Sequence, residues 1–282
     1  MNNRIKKTSM MILICLMLIL VTGCDGNVTR NLRHAGFTLS SNEFTCSTLL
    51  PANEDSKATD TILYSNGSYA ITDDGKLYEL SLSQPYSNNE NCKKISFSVK
   101  VVAYMDDSIL KGEDNKFYYA PGTTNTTPLT EVTANDSNYQ LYTLLLGGSQ
   151  VKKVVTVDSN AGIYYALEED GTVYQYTITR QDYNSPYIIS EKKAIYEKSE
   201  YGEIIDFNYA GESTATYIKT KNKIYRMQIT NKEECTKYAD ITCKYKLKLD
   251  EKITEHYNTN KIIYYGPSIV LTDYGKQFTV GN

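Results

Sequence analysis

The chain has 282 residues, 30 of them basic (Lys or Arg) and 33 acidic. That length suffices for one domain with a substantial core, and the slight acidity argues against nucleic acid as a partner, which selects a basic face. With 26 Tyr, 6 Phe, no Trp and only 6 Pro, the composition favours pleated, half-buried surfaces over helices.

The first 23 residues read as a leader rather than as part of the fold. Arg4, Lys6 and Lys7 form a positive head, and Met10 to Val21 is an unbroken apolar run. The run is short for a membrane span, which needs roughly 20 apolar residues, and it has the length and flanks of a secretory signal. Without the leader the chain keeps 27 basic against 33 acidic residues, since all three leader charges are basic.

Val21-Thr22-Gly23-Cys24 follows the apolar run. This stretch resembles the lipobox of bacterial lipoproteins. The resemblance implies cleavage before Cys24 by signal peptidase II and covalent diacylglycerol on its thiol, with acyl chains such as palmitate. Two or more acyl chains give stable anchoring where one does not. The implied organisation is a leader over 1–23, a lipidated tether over 24–36 and a domain over 37–282. That domain would sit on the bacterial cell membrane, facing away from the cytoplasm.

Within the domain, five segments align without gaps on one turn: 68–82, 108–120, 164–178, 215–229 and 268–280. The turn position holds Gly75, Asn115, Gly171, Asn222 and Gly275, the two residue types that enter left-handed backbone space most cheaply. Three residues on come Tyr78, Tyr118, Tyr174, Tyr225 and Phe278, an aromatic in every copy. The tyrosines of this column read as core. Apolar stretches precede each copy: DTILY (60–64), KVVAY (100–104), KVVTV (153–157), EIIDF (203–207) and KIIYY (261–265).

Each unit therefore predicts strand, strand, Gly/Asn turn, strand and an outer segment. Fourth strands are expected in ISFSV (95–99), YIIS (187–190) and CKYKLKL (243–249). The turns are 40, 56, 51 and 53 residues apart, the period of a β-propeller with four short strands per blade. The expected fold is all-β: a propeller of about five blades, closed by an N-terminal strand in FTLSSNEFTC (37–46). A count of six or seven blades, an open solenoid and a two-sheet sandwich are the competing readings. In YALEEDGTVYQY (165–176) and SIVLTDYGKQFTVGN (268–282) the units resemble RCC1-type repeats and related bacterial propeller repeats. The resemblance implies the propeller architecture over 60–282 and no particular activity.

Chemistry-bearing residues are few. Besides Cys24 and the leader's Cys15, the chain has Cys46, Cys92, Cys235 and Cys243. Four thiols in an exported domain allow three disulfide pairings. Cys235 with Cys243 would close a short local loop worth roughly 2.5 kcal/mol. Cys46 with Cys92 would then fasten the closing strand to the first unit. No metal-ligand spacing, nucleophile motif or phosphate-binding glycine loop occurs. His34 and His256 are isolated, His256 in a charged loop. No catalytic residue, metal or cofactor beyond the lipid on Cys24 is therefore expected.

The acidic turn residues read as solvated. Tyr183, Tyr187, Tyr196 and Tyr201 lie outside the repeat columns, in the polar insertion 179–202, and are the candidate binding residues. The expected function is a membrane-anchored binding module for another envelope or extracellular protein or component. The alternative is a surface lipoprotein that binds or processes carbohydrate. Inner strands almost devoid of carboxylates, with Asp206 as the exception, favour the former.

Overall fold

The computed structural model describes residues 37–282 apart from 44, 48, 50–60, 66–67, 82–88, 107, 122–128, 183–184, 212–214, 231–243, 259–261, 263, 267–268, 272–275 and 281–282. The leader, Cys24, His34, Tyr183, Cys235 and Cys243 thus lie outside the described residues. What is described is predominantly β, in several sheets none of which closes on itself.

The first strand, β1 (Phe37–Glu43), does not pair with its neighbours in sequence. Four antiparallel strands come next in simple order: β2 (Ile62–Ser65), β3 (Tyr69–Thr72), β4 (Leu77–Leu80) and β5 (Cys92–Lys94). The second unit comprises β6 (Val101–Met105), β7 (Ile109–Gly112), β8 (Phe117–Tyr119) and β9 (Glu131–Val132). The third comprises β10 (Val151–Asp158), β11 (Ile163–Glu168), β12 (Val173–Thr179) and β13 (Ile188–Tyr196). A short parallel contact between β6 and β10 joins these two units into one eight-stranded sheet.

The fourth unit runs β14 (Ile204–Asn208), β15 (Tyr217–Thr220), β16 (Ile224–Ile229) and β17 (Tyr245–Leu249). Among the described residues three strands follow: β18 (Tyr264–Tyr265), β19 (Ile269–Leu271) and β20 (Lys276–Val280). The outer edge of β20 is covered by β1, antiparallel, with Phe37 opposite Val280 and Leu39 opposite Phe278. A long-range pairing thus removes an edge that would otherwise stand open. Cys46 and Cys92 form a disulfide with Cα atoms 5.4 Å apart. The segment after β1 is further clasped to the first unit by the Asn91 side chain, whose Oδ1 accepts from the Thr45 amide at 2.9 Å.

Several expected elements lie elsewhere. The fourth strand of the first unit is β5, over Cys92–Lys94, while 95–99 forms no strand. The disulfide and the Asn91 clasp hold the chain at β5, and Ile95 and Phe97 pack into the core beyond it. The insertion 179–202 carries β13 and a short helix, α2 (Lys198–Tyr201). Helix α1 (Tyr139–Leu146), between the second and third units, buries Leu145 and Leu146. The charged stretch with His256 is helix α3 (Glu251–Asn258), capped by Asp250, whose Oδ1 accepts from the Ile253 amide at 3.1 Å. Asp250 also pairs with the buried Arg226 guanidinium at 3.0 Å.

The turn glycines do more than permit a left-handed backbone. Gly75 and Gly171 both sit at φ 79°, and each carbonyl accepts from the first residue of the next unit, Val101 at 3.2 Å and Ile204 at 3.1 Å. A Cβ on Gly75 would lie 2.9 Å from the Val101 carbonyl oxygen and closer still to the Lys100 stem. The turn is therefore also the seam between consecutive units. Gly75→Ala should lower stability by about 2 kcal/mol in urea unfolding. Gly148→Ala, where nothing lies within 4 Å, should change it by less than about 0.5 kcal/mol.

Candidate functional site

The first strands of the first four units open with the same irregularity. In β2, β6, β10 and β14 the register slips by one residue, between Ile62 and Tyr64, Val101 and Ala103, Val151 and Lys153, and Ile204 and Asp206. The skipped residues are Leu63, Val102, Lys152 and Ile205. Each is at least partly exposed between buried neighbours. A bulge places one extra residue on the strand and re-aims its side chain. All four extra residues line one cavity of about 350 Å³, together with Tyr104 and Lys153. This explains why these strands read as continuous apolar runs instead of alternating ones.

Immediately after the bulge the strands converge on a buried centre. Its charged pair is Lys153 and Asp206, with Nζ 2.7 Å from Oδ1 and the side chains only 3% and 0% exposed. Tyr104 donates to the same oxygen at 3.2 Å and Tyr217 to Oδ2 at 2.8 Å. The ammonium lies 4.6 Å from the centre of the Tyr64 ring and 5.3 Å from that of Tyr104. Lys219, also buried, donates to the Leu63 carbonyl at 3.3 Å and lies over the Tyr264 ring. Tyr264 in turn donates to the Ser65 carbonyl at 2.5 Å. Tyr64, Tyr104, Lys153, Asp206 and Tyr264 come from β2, β6, β10, β14 and β18, one from each first strand.

A buried charge is stable only when paired and fully hydrogen-bonded. Asp206 meets that condition with three donors, two of them hydroxyls. Burial in the first place, and the Asp206 charge beside it, hold the Tyr104 and Tyr217 hydroxyls protonated well above the ordinary value of 10. Burial also lowers the pKa of Lys111, whose ammonium donates to the Gly147 and Gly148 carbonyls just beyond α1. Such carbonyls carry the negative end of the helix dipole and suit a cation.

The sequence reading recognised Asp206 but not its partner. Aligned with KVVAY (100–104), KVVTV (153–157) puts Lys153 at the start of its strand. The structural equivalent of KVVAY is QVKKV (150–154), three residues earlier, because Lys153 pairs with Leu167 as Asp206 pairs with Lys219. The backbone agrees: the Asp73, Glu113 and Glu169 amides donate to the Thr61, Lys100 and Gln150 carbonyls. The available signal was two consecutive lysines inside a strand, since one of them had to face inward.

Most of the acidic turn residues serve the turns themselves. Oδ1 of Asp74, Asp114 and Asp170 accepts from the amide two residues on, at 3.4, 3.2 and 2.9 Å. The Tyr118 and Tyr174 hydroxyls donate to Asp114 and Asp170. Hydrogen bonds from Lys76 and Thr72 pull the Asp74 carboxyl down to about 2. In the aromatic column Tyr78 and Tyr118 are buried, whereas Tyr174 and Tyr225 are half-buried.

Of the candidate binding tyrosines, Tyr187 is half-buried against the core with Arg180 over its ring at 5.0 Å. Tyr196 and Tyr201 are half-buried and stack edge to face on one another, and Tyr201 on Tyr225, between the third and fourth units. The structure brings none of these three to the cavity. Among the described residues, Cys46, Cys92 and Glu90 are the one group close enough to hold a metal, and its two sulfurs are joined in the disulfide. No protein-family model matches the chain, and no curated protein does.

Two outcomes follow from the centre. Lys153→Met and Asp206→Asn should each destabilise the fold by about 3–5 kcal/mol, because each leaves a buried group without its partner. The double variant should cost clearly less than their sum in the same denaturation experiment. The second concerns pH. Tyrosines whose folded pKa is raised leave stability intact below about 10 and erode it as pH climbs beyond that. Absorbance at 295 nm should show exposed tyrosines ionising near 10, while a second class ionises only as the β-sheet circular dichroism is lost.

Proposed function

We propose that the chain is a lipid-anchored, extracytoplasmic five-bladed β-propeller acting as a binding module for an envelope or extracellular protein or component. The observation that carries the binding reading is the cavity on which four bulged first strands converge. Ligand sites are typically concave, largely apolar and furnished with a few convergent polar groups, and this cavity fits that description. Asp206, beneath Lys153 and Tyr104 of the lining, is closed to solvent and committed to Lys153, Tyr104 and Tyr217.

The propeller reading draws on the five consecutive runs of antiparallel strands, on the pairing of β1 with β20, and on the contribution of every unit to one centre. Blades around an axis make all three arrangements necessary at once. The anchored reading rests on the sequence before the described residues, above all on Val21-Thr22-Gly23-Cys24. Among the described residues no helix is long and apolar enough to cross a membrane.

Substituting Cys24→Ala should move the protein from the membrane to the soluble fraction of fractionated cells. A photo-crosslinking residue at Val102, which is 42% exposed on the cavity wall, should capture a specific envelope component on living cells. The same residue at Glu197, remote in sequence and on the surface, should not. Retention of the Cys24→Ala protein in membranes would contradict the anchor, and equal capture from both positions would contradict the cavity as binding face.

A further inference from the structure

We propose that this cavity recognises a short zwitterionic peptide, holding the free ammonium and the free carboxylate of the ligand on separate rim charges. The inference rests on the cavity being the binding face and adds the chemistry of what enters it.

Four charged, exposed side chains stand among its lining: Asp73, Lys100, Lys152 and Glu169. None of them makes a side-chain hydrogen bond or ion pair among the described residues. The neighbouring turn acids behave otherwise. Asp74, Asp114 and Asp170 are occupied by turn amides, and Glu113 accepts from the Lys100 amide at 3.4 Å. Asp73 and Glu169 join their turns through the backbone alone, which leaves two exposed carboxylates among the lining residues without structural duty.

The rim charges fall into two mixed-sign groups. Lys100 packs its stem over Gly75, two residues from Asp73, at the seam of the first and second units. The Glu169 amide donates to the Gln150 carbonyl at 2.7 Å, two residues from Lys152, in the third unit. The bulge residues Leu63, Val102 and Ile205 supply apolar lining to the same cavity. A ligand of one sign would meet repulsion from half of this rim. A ligand with one charge of each sign on a small apolar frame meets a partner for both. The volume of about 350 Å³ is at the small end for ligand pockets, which suits two or three residues of peptide better than a folded surface.

The test is isothermal titration of the full chain, extracted in detergent, with Ala-Ala-Ala, its N-acetyl form, its C-terminal amide and chitotetraose. Ala-Ala-Ala should bind saturably, and blocking either end should weaken it about tenfold, as expected for loss of one charge-assisted contact. Asp73→Asn with Glu169→Gln should abolish the difference that acetylation makes. Lys100→Met with Lys152→Met should abolish the difference that amidation makes. Equal affinity for all three peptides, no saturation by about 10 mM, or tighter binding of chitotetraose would overturn the proposal. If Val102 still captures a partner on cells while the peptides fail, the binding face stands and only the peptide chemistry falls.

Discussion

Everything at the middle of this molecule is arranged around one buried ion pair, Lys153 with Asp206. Removing two charges from water is unfavourable by several kcal/mol per ion unless the partners fit closely and every remaining lone pair is used. The structure meets that requirement with groups drawn from separate units. The third unit gives the ammonium, the fourth the carboxylate and the Tyr217 hydroxyl, and the second gives Tyr104. The first unit adds the Tyr64 ring beside the ammonium. The last unit is tied in through Tyr264, which bonds the first unit and lies under Lys219 of the fourth. No unit satisfies its own members of this centre alone. A hydrophobic centre could have been as stable, but it would not have fixed which unit faces which.

This constraint also orders the surroundings. Each of the four described bulges sits one step before the centre, or two in β6, and its extra residue is turned into the cavity above. The glycine turns lock neighbouring units at their far ends, through the Gly75 and Gly171 carbonyls. The bulge recurs at the same register in the first four units, and the turn seam in the first and third, which is why a repeat with little sequence identity keeps its geometry.

Much of this was legible in the residues. The Gly/Asn turn with an aromatic three positions on located the central hairpin of every unit, because left-handed backbone and cross-strand packing are local demands. The role of β1 could be read from the missing outer strand of the last unit. Less legible was anything set by distant partners. Lys153 looked like a strand-end lysine because its value lies in Asp206, 53 residues away. The first unit's outer strand is expected at 95–99, yet the disulfide and Asn91 fix it at 92–94. Helix α1 lacks a side-chain cap and is held by the burial of Leu145 and Leu146, which no local pattern announces. The tyrosines of 179–202 read as binding residues since they break the repeat, whereas Tyr196 and Tyr201 break it to fill a seam between units.

If the five units depend on a shared centre, damage at Asp206 must be felt in all of them. Hydrogen–deuterium exchange with mass spectrometry, comparing Asp206→Asn with the unaltered chain below its unfolding transition, reads this directly. Peptides covering β2, β6, β10, β14 and β18 should lose protection together, with the outer strands β13 and β17 little changed. Loosening confined to β14 and its partner β15 would show that the units stand independently, and would contradict the shared centre.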